Sequence, residues 1–117
     1  MSEDRIAELQ RRLAAFAAAR DWDQFHSPKN LAMALSVEAS ELLEEFQWLT
    51  EQQSGSLDAE RRERVRLEMA DVLIYLLRLA GKLDVDVVQA ATDKIALNEA
   101  KYPADRVRGS SRKYTEY

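Results

Sequence analysis

Glu68-Met-Ala-Asp71-Val-Leu-Ile-Tyr-Leu-Leu77 decides the fold: two acids three residues apart lead into a run of six apolar or aromatic residues. A helix that is apolar on nearly every side belongs at the centre of a bundle, so this stretch is read as its central element. Working outward, Asp58 is placed to cap this helix and Gly81 lies near its end, which is expected at Leu79 or Ala80. An earlier helix runs from about Glu3 to Arg20, where Ile6, Leu9, Leu13 and Phe16 recur at helical spacing. Asp21 to Pro28 breaks that pattern. Pro28 suits a first turn behind Ser27 as cap, and the second helix is expected to reach about Thr50. Gln52, Gln53, Ser54, Gly55 and Ser56 then form a connecting loop. Asp84 is placed to cap a fourth helix that stops before Pro103, and 103–117 reads as a polar, extended tail. The expectation is an all-α chain of four helices in one domain spanning 1–117, with the second and third paired antiparallel across a short loop.

Composition agrees. The chain has 117 residues, 46% of them hydrophobic and 32% charged, with three glycines and two prolines, which suits helices joined by few turns. It has no cysteine, so disulfides, thiolate ligands and a cysteine nucleophile are excluded. The opening Met1-Ser2-Glu3-Asp4 does not read as a secretory signal, and no apolar run approaches the roughly 20 residues needed to cross a bilayer. A cytoplasmic protein without a membrane partner is expected. A net charge of −4, with no basic stripe, disfavours a nucleic acid polymer as partner. A small polyphosphate carrying its own cation remains compatible.

The acids fall where leucines should. At about 100° per residue, Leu31, Leu35, Leu42 and Leu49 lie within about 60° of Glu38, and Glu41 lies about 60° to one side. Glu45 sits about 20° from Glu38 on that same side, with Glu44 further round toward the flank. Glu38 and Glu41 are thus neighbours on one helix surface, as are Glu68 and Asp71 on the next. An antiparallel hairpin brings both pairs to one cleft. Several ionised carboxylates buried together cost about several kcal/mol per charge unless a cation joins them. Mg²⁺ fits, being a hard ion that takes a few carboxylates plus phosphate oxygens. Zinc would favour histidine or cysteine, and a di-iron or di-manganese bundle would want Glu-x-x-His pairs, of which there are none. The competing reading is a solvated acidic face.

At these residues the chain resembles the all-α nucleoside triphosphate pyrophosphatases of the MazG-like superfamily, whose signature is Glu-x-x-Glu, a spacer, and Glu-x-x-Asp. Here it reads Glu38-Ala-Ser-Glu41 and Glu68-Met-Ala-Asp71, followed by Lys94-Ile-Ala-Leu-Asn98-Glu-Ala-Lys101-Tyr102-Pro103. Within that superfamily the likeness is greatest to the dCTP pyrophosphatases, through Arg20-Asp-Trp22-Asp-Gln-Phe25-His26, Phe46-Gln-Trp48 and Ser110-Ser-Arg112-Lys-Tyr114-Thr.

The resemblance implies a MazG-like bundle that cleaves a nucleoside triphosphate between its α and β phosphates, releasing the monophosphate and pyrophosphate. It implies Mg²⁺ held by Glu38, Glu41, Glu68 and Asp71 as the catalytic acids, with Glu41 taken as the base at the edge of the stripe. Glu44, which continues the spacing, and Glu45 are secondary metal candidates. Lys94, Asn98 and Tyr102 recur every fourth residue and would donate to phosphate or sugar oxygens, joined by Lys82. Trp22, His26 and Trp48 look like the base pocket. A homodimer or homotetramer is implied, with sites near subunit contacts. Three functions remain open: turnover of dCTP or a modified dCTP in nucleotide-pool house-cleaning, turnover of dUTP or another noncanonical triphosphate, and a non-catalytic helical interaction module.

Overall fold

The computed structural model describes residues 2–111 and Thr115, and every regular element among them is helical. The tail motif from Arg112 to Tyr114 lies outside the described residues. Six α-helices follow one another: α1 (Ser2–Ala19), α2 (Pro28–Glu44), α3 (Glu51–Ser54), α4 (Ala59–Leu83), α5 (Val87–Lys101) and α6 (Ala104–Val107). A single 3-10 turn, Asp23–Phe25, precedes α2. By contact the chain divides into two compact units, Met1–Asp84 and Val85–Tyr117.

In the first unit α2 packs chiefly against α4, and α1 packs on α4. The α2–α4 pairing is antiparallel, because Arg61 at the start of α4 bonds Glu45 just past the end of α2, whereas Arg78 near the end of α4 bonds His26 just before its start. Leu31 and Leu77 are each 1% exposed and form the core with Ala17, Val65 and Ala80. Gln10 on α1 donates from Nε2 to the Leu77 carbonyl at 3.2 Å, a second tie at the same point. Leu77→Ala is therefore expected to cost about 2–5 kcal/mol of stability, read as a lower urea midpoint at unchanged slope.

Two helices begin as expected. Ser27 accepts from the Asn30 amide behind Pro28, and Asp58 accepts from the Arg61 amide at 2.8 Å. Three boundaries differ from the sequence reading. First, α2 stops at Glu44, because the Arg61 guanidinium satisfies the Glu45 carbonyl and the chain tightens into Phe46-to-Leu43 and Leu49-to-Phe46 turns. Second, the expected loop contains α3, started by a capping box in which Thr50 and Gln53 bond each other's backbone amides. Third, α4 runs through Gly81 to Leu83, and Asp84 closes it rather than capping the next helix. Asp84 adopts a left-handed conformation (φ 54°, ψ 47°) and its amide bonds the Ala80 and Gly81 carbonyls, leaving Asp86 to cap α5 through the Gln89 amide.

The apolar run of α4 is only partly enclosed. Leu77 is buried, but Leu73, Ile74 and Leu76 stay open, as do Leu43 on α2 and Trp48 beyond it. In the second unit α5 buries no residue fully, and the helical turn α6 replaces the start of the expected extended tail. No helix among the described residues is long and apolar enough to cross a membrane.

Candidate active site

Glu38 and Glu41 are one turn apart on α2, and Glu68 and Asp71 one turn apart on α4, so the antiparallel pairing sets the two acid pairs against each other. One carboxylate oxygen each from Glu38, Glu41 and Glu68 lies within 4.8 Å of the others, and all three side chains are half-buried. Oε2 of Glu38 and Oε2 of Glu68 are shielded from solvent and have no hydrogen-bond partner. Burial, and after it the hydrogen bonding and charge of Glu41, push the Glu38 carboxyl up to about 7, with Asp71 and Glu68 adding to the effect. The Glu68 carboxyl is raised for the same reasons, first burial and then the charges of Glu41 and Asp71. Asp71 thus belongs to the cluster electrostatically, though it is not one of the three oxygens in closest approach. Orphaned acceptors that repel one another fit a hard cation with oxygen ligands.

The secondary candidates stand differently. Glu45 accepts from Arg61 and Arg64 at 3.4 and 3.2 Å, with its side chain 17% exposed, so its charge is neutralised by the protein. Glu44 is exposed at the end of α2. Neither is among the three converging acids.

A cavity of about 490 Å³ opens beside the cluster and is lined by Glu38 and Asp71 together with Trp22 and His26. Phe16 meets Trp22 edge to face, ring centroids 5.7 Å apart, and the Arg20 guanidinium covers Phe16 with its Cζ 3.6 Å from the ring centroid. Trp22 is placed by local structure: Asp21 turns left-handed after α1, and the Trp22 amide then bonds the Ala17 carbonyl at 2.9 Å. Asn30 Nδ2 donates to the Phe25 carbonyl at 3.0 Å, which fastens the His26 turn to the start of α2. Along α4 the cavity takes Asp71, Ile74, Tyr75 and Arg78. Asp71 and Arg78 are seven residues apart, so the acids and the Arg78 end of the cavity are separated by roughly 10 Å along the helix axis.

Trp48 stands apart from Trp22 and His26. It is 87% exposed and does not line the cavity. Lys82 is engaged with Asp23, its Nζ 2.6 Å from Oδ1. Lys94 and Asn98 lie exposed on α5, and Tyr102 is its C-terminal cap, in the second unit. Sequence reasoning missed Phe16, Tyr75 and Arg78 as cavity residues. A signal for two of them was present, since Glu68, Asp71, Tyr75 and Arg78 fall at three, four and three residue steps along one helical stripe.

Fold and site together define a class, an all-helical protein in which an antiparallel pair of helices presents paired acids to an aromatic-walled cavity. The profile of the MazG-like family matches residues 33–117, which include both acid pairs, and the chain belongs to that family. It is 47% identical to human dCTP pyrophosphatase 1 over 97% of its own length, covering 68% of that protein. It is 36% identical to a dATP/dGTP diphosphohydrolase of cyanophage S-2L over 92% of this chain and 86% of the relative. A pyrophosphatase from Archaeoglobus fulgidus, known from its crystal structure, superposes with a TM-score of 0.80 at 40% identity, over 85% of this chain and 93% of that one.

Proposed function

We propose that the protein is a Mg²⁺-dependent nucleoside triphosphate pyrophosphohydrolase that hydrolyses dCTP, or a modified dCTP, to the monophosphate and pyrophosphate. The observation that carries this reading is the convergence of Glu38, Glu41 and Glu68 with two orphaned oxygens, beside a cavity that also holds Trp22 and His26. The relatives at high identity and coverage supply the substrate.

Glu38, Glu41, Glu68 and Asp71 would hold the ion. When bound, Mg²⁺ supplies charge neutralisation at the phosphates and lowers the pKa of a coordinated water. The protein's own part is chiefly to position and to exclude bulk water. Trp22 and Phe16 stack the base in the cavity, and His26 bonds its edge. Glu41 takes the proton of the attacking water at a carboxylate oxygen. The water oxygen then bonds to phosphorus, and the bridge between the α and β phosphates breaks, with pyrophosphate leaving. The resemblance assigns Lys94, Asn98 and Tyr102, which recur at every fourth position, to phosphate and sugar oxygens, whereas Lys82 is held by Asp23 one turn beyond Arg78. The open apolar side chains of α4, with Leu43 and Trp48, support a homodimer or homotetramer. A cytoplasmic setting, without nucleic acid polymer or membrane as partner, completes the proposal.

The phage relative favours a second reading, in which the same site serves another deoxynucleoside triphosphate. A panel of dCTP, modified dCTP, dUTP, dATP and dGTP with Mg²⁺, scored for pyrophosphate against orthophosphate, tests both. dCTP is expected to give the highest kcat/KM, with pyrophosphate as product. Release of orthophosphate, or no turnover of any nucleotide, would overturn the proposal.

A further inference from the structure

Arg78 closes one end of the cavity with its side chain only 11% exposed. Its Nη2 lies 3.1 Å from His26 Nδ1, and its Nε lies 3.4 Å from the same atom. The same Nη2 donates to Asp23 Oδ1 at 3.1 Å, and that oxygen also accepts from Lys82 Nζ at 2.6 Å. Asp23 therefore both orients the guanidinium and balances its charge.

The direction of the Arg78–His26 bond follows from the donor inventory. A guanidinium has only N–H donors and keeps its charge, so Nδ1 must offer its lone pair. A neutral imidazole carries one ring proton, and with Nδ1 accepting, that proton is on Nε2. Burial, and after it the charge of Arg78, lower the His26 pKa, which agrees with a neutral ring. Among the described residues Nε2 has no hydrogen-bond partner.

We propose that Arg78 is a positioning residue for base selection: it locks His26 as the Nε2–H tautomer, so the cavity presents a donor and selects a base edge that presents an acceptor. This rests on the reading that the cavity receives the base of a nucleoside triphosphate. A cytosine ring offers an unprotonated N3 lone pair at that edge, whereas uracil and thymine carry N3–H there and would set donor against donor. The opposite tautomer would offer an Nε2 lone pair and reverse the preference. Discrimination by a positioned hydrogen bond is larger than an apolar pocket achieves for rings of similar shape.

His26 is the only histidine in the chain, so protein labelled with ¹⁵N-histidine reports one imidazole. At neutral pH the Nδ1 resonance is expected at the unprotonated position and Nε2 at the protonated one. Arg78→Met should give a tautomer mixture and lower the dCTP-over-dUTP ratio of kcat/KM by about tenfold, mainly through KM for dCTP. Arg78→Lys, which restores a donor, should recover most of both readouts, and it serves if the methionine variant does not fold. A protonated Nδ1 in the unaltered protein, or a methionine variant with tautomer and ratio unchanged, would overturn the proposal. Absence of all nucleotide turnover would instead remove the functional reading, while the ring resonances alone still decide whether Arg78 sets the tautomer.

Discussion

Asp71→Asn is expected to lower nucleotide cleavage by roughly 100-fold or more in kcat, because it removes one of four charges that hold the cation. Its second effect runs the other way. Asp71 raises the carboxyls of Glu38 and Glu68 by repulsion, so removing its charge relieves the metal-free fold. The variant should therefore melt no lower than the unaltered protein without Mg²⁺, while losing most of the stabilisation that Mg²⁺ confers. A folding defect would lower both melting temperatures and is distinguished by that pair of readings. Glu45→Gln is the matched comparison, since Glu45 is already neutralised by Arg61 and Arg64. It should leave Mg²⁺ affinity within about twofold. Undiminished cleavage by the Asp71 variant would sink the enzyme assignment.

Lowering the pH from 8 to 6 is expected to weaken Mg²⁺ binding by about tenfold, with proton uptake by the protein as the ion leaves. The cause is Glu38, whose carboxyl is pushed up to about 7 by burial and then by its acidic neighbours. A raised carboxyl pKa means the fold favours the neutral acid. Without a divalent ion, its contribution to stability is full below the ordinary glutamate range, near 4.5, and is lost as pH rises through about 7. Saturating Mg²⁺ favours the ionised form instead, so the gain in melting temperature should grow over that window. Calorimetry in two buffers of different ionisation enthalpy counts the proton released on binding. An affinity that is flat from pH 6 to 8 would remove Glu38 from the site.

The main helices and their order were readable, because Ile6 to Phe16 recur at helical spacing and the apolar run Val72 to Leu77 sits in a long stretch without the glycine and proline punctuation that strands need. Ends were less so. Asp84 and Asp86 are equally good caps by composition, and only the left-handed turn at Asp84 decides that the first ends α4 and the second begins α5. The end of α2 depends on Arg61, which is distant in sequence and satisfies a backbone carbonyl that local propensity leaves to a longer helix. At the site, the acid pairs were visible because Glu38 falls in an apolar stripe, where a charge is costly. Trp48 was grouped with Trp22 through resemblance, and within this chain it does not line the cavity that holds Trp22. Arg78 directly follows the apolar run, and its partners Asp23 and His26 lie more than 50 residues away, beyond what spacing on one helix reveals.

The fastening of α2 to α4 has a consequence for how the acids behave between them. Arg61 and Arg64 grip one end of the pair through Glu45, and Arg78 grips the other through His26 and Asp23. Like charges held between two helices fastened at both ends are relieved by a proton or an ion arriving. Pinned jaws make a preorganised seat, in which reorganisation is settled during folding and a visiting cation meets its ligands already aimed.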